Sequence, residues 1–317
     1  MVAVAHGLRA SIEEEYSPMQ VWLNGEFVDH DSASVPVFDA GFQHGVGLFE
    51  TMSARNGRVF RAEAHMHRLI ESARELLLSD RLREAPLVEA VHHVVQRNDL
   101  ETARVRLTVT GGNLNRLQSK GEGQVDPAVL IVAQPPTEYP PAFFEDGVTT
   151  IIADGRDNPF DPMAGHKTLN YWPRIHALQN AASKKAGEAI RFTVSNHLAG
   201  GSVSNIFLVK DGELHTPIAR GEEVKQAIAS SVLPGITRVA IIELAESMNI
   251  DTVKRLLDIN DLLAADEVFL TNSSWGVLPV VGVEREKIAD GKVGELTQQL
   301  RAAWLALVDQ ETSLASD

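Results

Sequence analysis

Leu198-Ala199-Gly200-Gly201-Ser202-Val203-Ser204-Asn205-Ile206-Phe207-Leu208-Val209 is the stretch that decides the fold. It runs from small residues into an apolar segment that continues through Lys210-Asp211-Gly212 to Glu213-Leu214. An Asp-Gly pair between two strand-like runs signals a hairpin. The N-terminal half carries the same signal in Val21-Trp22-Leu23-Asn24-Gly25-Glu26-Phe27-Val28. Between the two hairpins lie a helical stripe near His65 (Leu69, Ala73, Leu76, Leu77) and strand-like runs from Val105 to Val109 and from Ala128 to Ala133. A helix from about Thr237 is expected to turn Val239, Ile242 and Ala245 to one side, and Val268-Phe269-Leu270 and Val277 to Val281 read as late strands. The prolines of Gln134-Pro135-Pro136-Thr137-Glu138-Tyr139-Pro140-Pro141 continue neither a helix nor a central strand. They mark the best boundary. The pattern therefore predicts two α+β units rather than one doubly wound sheet: an N-terminal extension (1–19), a small α+β domain (20–133), a proline-rich linker (134–141) and a larger domain (142–317).

The 317 residues are 44% hydrophobic, enough for a large core, and carry a formal net charge of −14. So acidic a chain argues against nucleic acid and against anionic membrane as partners. The absence of cysteine excludes disulfides, thiolate nucleophiles and cysteine-based zinc sites. No run of about 18 apolar residues suggests a membrane span. Glu13-Glu14-Glu15 breaks any signal-peptide pattern, so a cytoplasmic location is expected.

Several segments have the chemistry of a site. Lys167 precedes a helical pattern with Ile175, Leu178 and Ala182, which suits a desolvated amine at a strand–helix junction. Leu233-Pro234-Gly235-Ile236-Thr237-Arg238 opens a helix, whose free N–H groups and dipole favour an anion. Arg104 and Arg106 point the same way on an alternating strand, and either can steer a substrate carboxylate. Gly41, Gly45 and Gly47, within Phe38 to Thr51, allow close backbone approach to a ligand. His65-x-His67 and His92-His93 lack a third ligand at metal-binding spacing, so no metal is expected. Lys184-Lys185 reads as a solvated helix face and Trp172 as a core residue.

Together these segments resemble the class IV, or fold-type IV, aminotransferases, which use pyridoxal phosphate (PLP) and include the branched-chain aminotransferases, the D-amino-acid aminotransferases and the aminodeoxychorismate lyases. The resemblance covers roughly Val21 to Leu300. It implies a small α+β domain and a larger α/β-barrel-like one, a homodimer, and small-molecule amino acids and 2-oxo acids as substrates. Lys167, in Lys167-Thr168-Leu169-Asn170-Tyr171, would hold PLP covalently and then move protons. Arg68, in His65-Met66-His67-Arg68-Leu69, would grip the phosphate with the amides of Ile236 and Thr237. Ser273 and Ser274, in Thr271-Asn272-Ser273-Ser274, would add donors. Tyr171, Ser204 and Asn205 would touch the cofactor, and Gly47, Phe49 and Arg106 the substrate. Some relatives carry a tyrosine at the position of Phe49. D-amino-acid enzymes carry an arginine where Gly111 stands, and its absence argues against that specificity.

One position departs from the family pattern. The family places a glutamate, partner of the pyridine nitrogen, five residues before the asparagine of the Ser-Asn-aliphatic-Phe element. This chain has Gly200 there. The expected activity is amino transfer of the branched-chain type. The alternatives are a lyase of the aminodeoxychorismate type and a catalytically impaired PLP-binding protein.

Overall fold

The computed structural model describes residues 19–113 and 127–313. The expected N-terminal extension lies, apart from Met19, outside them. In chain order the elements are β1 (Gln20–Leu23), β2 (Glu26–Asp29), α1 (Ala40–His44), β3 (Gly47–Arg55), β4 (Arg58–Val59), α2 (Ala62–Glu75), α3 (Glu84–Arg97), β5 (Ala103–Thr110) and β6 (Val129–Gln134). There follow α4 (Ala142–Glu145), β7 (Val148–Asp157), α5 (Trp172–Ser183), β8 (Glu188–Thr193), β9 (Leu198–Gly201), β10 (Asn205–Lys210), β11 (Glu213–Thr216) and α6 (Ile236–Ser247). The chain closes with β12 (Thr252–Lys254), α7 (Ile259–Leu263), β13 (Glu267–Asn272), β14 (Gly276–Val283), β15 (Glu286–Lys287) and α8 (Glu295–Thr312).

The first six strands form one antiparallel sheet in the order β2-β1-β6-β5-β3-β4. The rest form a second sheet, β12-β11-β10-β13-β14-β7-β8-β9, with β15 on β14. Its β11–β12, β14–β7 and β7–β8 pairs are parallel and the others antiparallel. The fold is α+β, and the second sheet curls into a half-barrel. Both predicted hairpins form. Asn24 and Gly25 adopt φ of 52° and 105°, and Asp211 and Gly212 adopt 51° and 81°. Positive φ at both central residues matches the right-handed twist of the flanking strands.

Helices α2 and α3 cover the first sheet, where Met66, Leu69 and Ala73 meet Val91, Val94 and Val95 over Val105 and Leu107. On the second sheet α6 and α8 pack Ile241, Ala245 and Trp304 against Phe207 and Phe269, whose rings stack 5.0 Å apart. Among the described residues no helix is long and apolar enough to cross a membrane.

Four local expectations fail. Leu77 is exposed, because α2 ends at Glu75 and the chain leaves it with Leu77 at φ 55°. Val239 is partly exposed, while Ala240, Ile241 and Ala245 form the buried stripe of α6. On α5 the buried residues are Ala177 and Ala181 rather than Ala182. They pack on Ile151, Ala153 and Ala189, where only small side chains let the helix approach β7 and β8. Trp172, at the start of α5, is exposed rather than in the core.

Candidate active site

A cavity of about 410 Å³ is lined by residues of both sheets. Lys167 reaches it from the connection between β7 and α5. Its backbone is tied to β3: the Phe49 N–H donates to the Lys167 carbonyl and the Leu169 N–H to that of Gly47, both at 2.9 Å. Gly47 thus anchors the lysine segment and is not itself on the cavity wall. The Lys167 amine lies 4.2 Å from the centre of the Phe49 ring and 5.5 Å from that of Tyr171. Burial pushes its pKa down to about 7, an effect the nearby guanidinium groups reinforce and Glu50 opposes. A free amine, the nucleophilic form, is therefore well populated at neutral pH.

The start of α6 faces the same cavity. Gly235, Ile236 and Thr237 line it, no acidic residue stands in the first turn, and no side chain caps the helix. Its first N–H groups are open to an anion. Two contacts fix this end. The Asn205 side-chain amide donates to the Leu233 carbonyl at 2.8 Å. Buried Arg238 holds Glu222 with both terminal nitrogens, at 2.9 and 2.8 Å. Gly235 has no alternative here: a Cβ on it would lie 2.0 Å from Asn205 Oδ1. Arg68 spans the two sheets, bonding Glu50 through Nε (2.9 Å) and Nη2 (2.5 Å) and the Pro234 carbonyl through Nη1 (2.8 Å). Glu50 also takes a contact from His65 Nδ1 at 2.8 Å. Burial raises the Glu50 pKa, but Arg68 and His65 outweigh it and hold the carboxyl at about 2. His65 is thus a structural partner of Glu50, and burial pushes its own pKa down.

On β5, Arg104 and Arg106 both line the cavity. Arg106 lies 3.7 Å over the Phe49 ring, and burial, aided by the like charge of Arg104, pushes its pKa down. Among the described residues neither has an ion-pair partner. Two neighbouring cations without an anion suit a ligand carboxylate.

The expected residues Arg68, Phe49, Arg106, Tyr171, Ser204, Asn205, Ile236, Thr237, Ser273 and Ser274 all converge on this cavity with Lys167. Gly200 is buried in β9, behind a wall made there by Ala199 and Val203. The sequence reading missed Thr137 and Tyr139. They belong to the proline-rich run, and Tyr139 packs edge-on against Trp275, 5.7 Å away. It also missed His166, whose Nδ1 is 3.0 Å from Ser72 Oγ, and Arg174. For Arg174 a signal existed: it shares a helix face with Ile175 and Leu178, the two cavity-lining apolar residues of α5.

Comparison with known proteins agrees with this geometry. The amino-transferase class IV family model matches residues 47–283. A putative branched-chain-amino-acid aminotransferase of Methanocaldococcus jannaschii is 34% identical over 284 residues, 89% of this chain and 94% of that one. A D-alanine aminotransferase of Staphylococcus aureus is 30% identical, over 92% of this chain and 99% of that one. Among solved structures, the T.th. branched-chain amino acid aminotransferase with pyridoxamine 5'-phosphate superposes with a TM-score of 0.82 at 25% identity, covering 92% of this chain and 94% of that one. The chain belongs to the class IV aminotransferases, and it is a PLP-dependent transaminase.

Proposed function

We propose that the chain moves the amino group of a branched-chain-like amino acid to a 2-oxo acid, with Lys167 as the residue that binds PLP and transfers protons. The observation that carries this reading is one amine: Lys167, enclosed between aromatic rings, with a pKa near 7 and an open helix end in the same cavity. The residues present fit PLP. Lys167 would hold its aldehyde, and the Ile236 and Thr237 amides, with Arg68 beside them, would hold its phosphate. Once bound, PLP supplies electron withdrawal from the substrate carbon.

The protein's own groups do the rest. Lys167 holds and returns the proton at that carbon. Phe49 and Tyr171, edge to face at 5.0 Å, limit how the ring lies and keep water off the amine. Arg106, with Arg104 beside it, takes the substrate carboxylate. Ser273, Ser274 and Asn205 add polar contacts to the wall. The apolar stretch of Ile175, Leu178, Ala199 and Val203 suits an aliphatic side chain. We further assign residues 20–133 and 142–317 to two domains joined by 134–141. We also propose a homodimer, supported by the exposed apolar side chains of Phe42, Phe160 and Trp172, whose assembly light scattering measures.

The test is a panel of amino donors followed by absorbance. Branched-chain donors are expected to convert bound PLP to its amine form, and Lys167→Ala to abolish both the visible band and the conversion. Silence with every donor, or pyruvate release from aminodeoxychorismate, defeats the reading. Arg106→Ala is expected to raise KM for the 2-oxo acid by roughly tenfold or more with a smaller change in kcat, since a guanidinium–carboxylate contact contributes about 1.5–3 kcal/mol. Arg104→Ala is expected to do less, because Arg106 lies directly on the Phe49 ring.

A further inference from the structure

No aspartate or glutamate lines the cavity among the described residues, whereas Arg68, Arg104, Arg106 and Arg174 all do. A pyridine ring in such a cavity finds no carboxylate on the wall for its nitrogen, and the charged side chains it can meet are guanidinium groups. A cationic surround disfavours protonation of that nitrogen, because the pyridinium would be a further like charge. We propose that this chain holds the ring nitrogen of its cofactor unprotonated, as acceptor of a hydrogen bond from Arg174. The inference rests on the PLP reading above.

Arg174 is the fitting donor among these cations. Arg68 is committed to Glu50 and to the Pro234 carbonyl at the phosphate end. Arg104 and Arg106 belong to the opposite sheet. The Arg174 guanidinium rests against the β9–β10 turn, with Nη1 3.4 Å from the Gly201 carbonyl and 3.3 Å from that of Ser202. This is the turn that follows Gly200. Nη2 bonds Asp157 at 3.3 Å, which steadies the group. Arginine only donates, so a hydrogen bond from it requires a free lone pair on the nitrogen.

The nearby acids are already engaged. Asp157 is shared between Arg174 and Arg191, and Arg191 is the strand partner of Gly200. Glu188 is fully buried behind the wall and accepts from the Val203 N–H and the Ser204 hydroxyl, each at 3.2 Å. The Tyr171 hydroxyl points to the Ser202 carbonyl at 3.4 Å, and burial pushes its pKa up, so it stays neutral. Nor does the turn leave room for an acid at position 200. Gly200 has φ +132°, and a Cβ there would lie 2.6 Å from the Ser204 carbonyl oxygen.

The experiment is nitrogen-15 NMR of the protein loaded with PLP labelled at the ring nitrogen, with borohydride trapping and mass spectrometry to verify attachment at Lys167. A chemical shift in the neutral, hydrogen-bonded pyridine range is expected for the wild type. Arg174→Met is expected to move it toward free pyridine and to weaken PLP binding roughly tenfold, as loss of one charge-assisted hydrogen bond implies. Arg174→Lys, which keeps the cation if the methionine variant folds poorly, should leave the nitrogen neutral. A pyridinium shift in the wild type overturns the inference and spares the proposed function. A neutral shift that no Arg174 substitution moves overturns the role of Arg174. Failure to trap PLP on Lys167 overturns the proposed function and this inference with it.

Discussion

Two glutamates, each almost wholly enclosed, stand on opposite sides of the cavity and behave in opposite ways. Glu50 on β3 faces Arg68 and His65 and is held at about 2. Glu188 on β8 faces backbone N–H groups and the Ser204 hydroxyl, and burial pushes its pKa up. Desolvation is the largest influence on both, so burial does not distinguish them. A cation within reach does. At Glu50 the burial cost is offset by a bidentate guanidinium, which is thereby aimed at the phosphate end of the cavity. At Glu188 no cation arrives, and the carboxyl instead pins the turn that follows Gly200, where the family glutamate is missing.

The largest expected effect breaks the first half of this contrast. Glu50→Gln leaves Arg68 buried without its counter-charge. It should lower unfolding free energy by about 3–5 kcal/mol in urea titrations and weaken PLP binding, because Arg68 is freed to turn away. A loss below 1 kcal/mol would mean that the pair does not hold the two sheets together. Acid should give the same message. Because the folded-state pKa of Glu50 lies below its unfolded value, its stabilisation is present above pH 4.5 and is lost as pH falls toward 2. From a shift of that size it amounts to about 3 kcal/mol, which Glu50→Gln should remove from the acid limb.

Next in size is Gly200. Adding a side chain brings Cβ against the Ser204 carbonyl at a φ that L residues rarely adopt, so Gly200→Ala should cost about 1–3 kcal/mol. Gly200→Glu should lose stability and gain no turnover, measured by thermal melting and a donor assay. A stable, faster Gly200→Glu enzyme would show that the turn re-forms around an acid.

The smallest effect belongs to Glu188. Its folded-state pKa is raised, so its stabilisation is full below the usual glutamate pKa and is lost as pH rises through the raised value. Glu188→Gln keeps the shape and removes the ionisable proton. It should change stability by about 1 kcal/mol or less in acid, where both side chains are neutral, and flatten the decline as pH rises through the raised value, read from paired urea titrations. An unchanged slope would mean that Glu188 is already ionised when folded.

Much of this architecture is written locally. Asn24-Gly25 and Asp211-Gly212 set their hairpins because the turn needs positive φ at neighbouring residues, a condition within the reach of two residues. Pro234-Gly235 similarly marks the start of α6, and the wording around Lys167, Arg68 and Ser204-Asn205 was enough to place ten expected residues on one cavity. Helix faces were read less well. Val239 and Ala182 fit a periodic stripe yet lie outward, because the width of the buried face depends on what packs against it.

The sequence alone therefore settled the hairpins, the helix starts, the family pattern and its one departure at Gly200. Only the tertiary structure decided what surrounds that departure: Arg174 against the turn, Asp157 shared by two guanidiniums, Glu188 sealed behind, and a cavity wall without a carboxylate among the described residues. The physical reason is range. A turn or helix start depends on φ and ψ of adjacent residues, whereas ionisation depends on the charges and solvent within a few ångströms. Those neighbours are brought together by strands far apart in the chain.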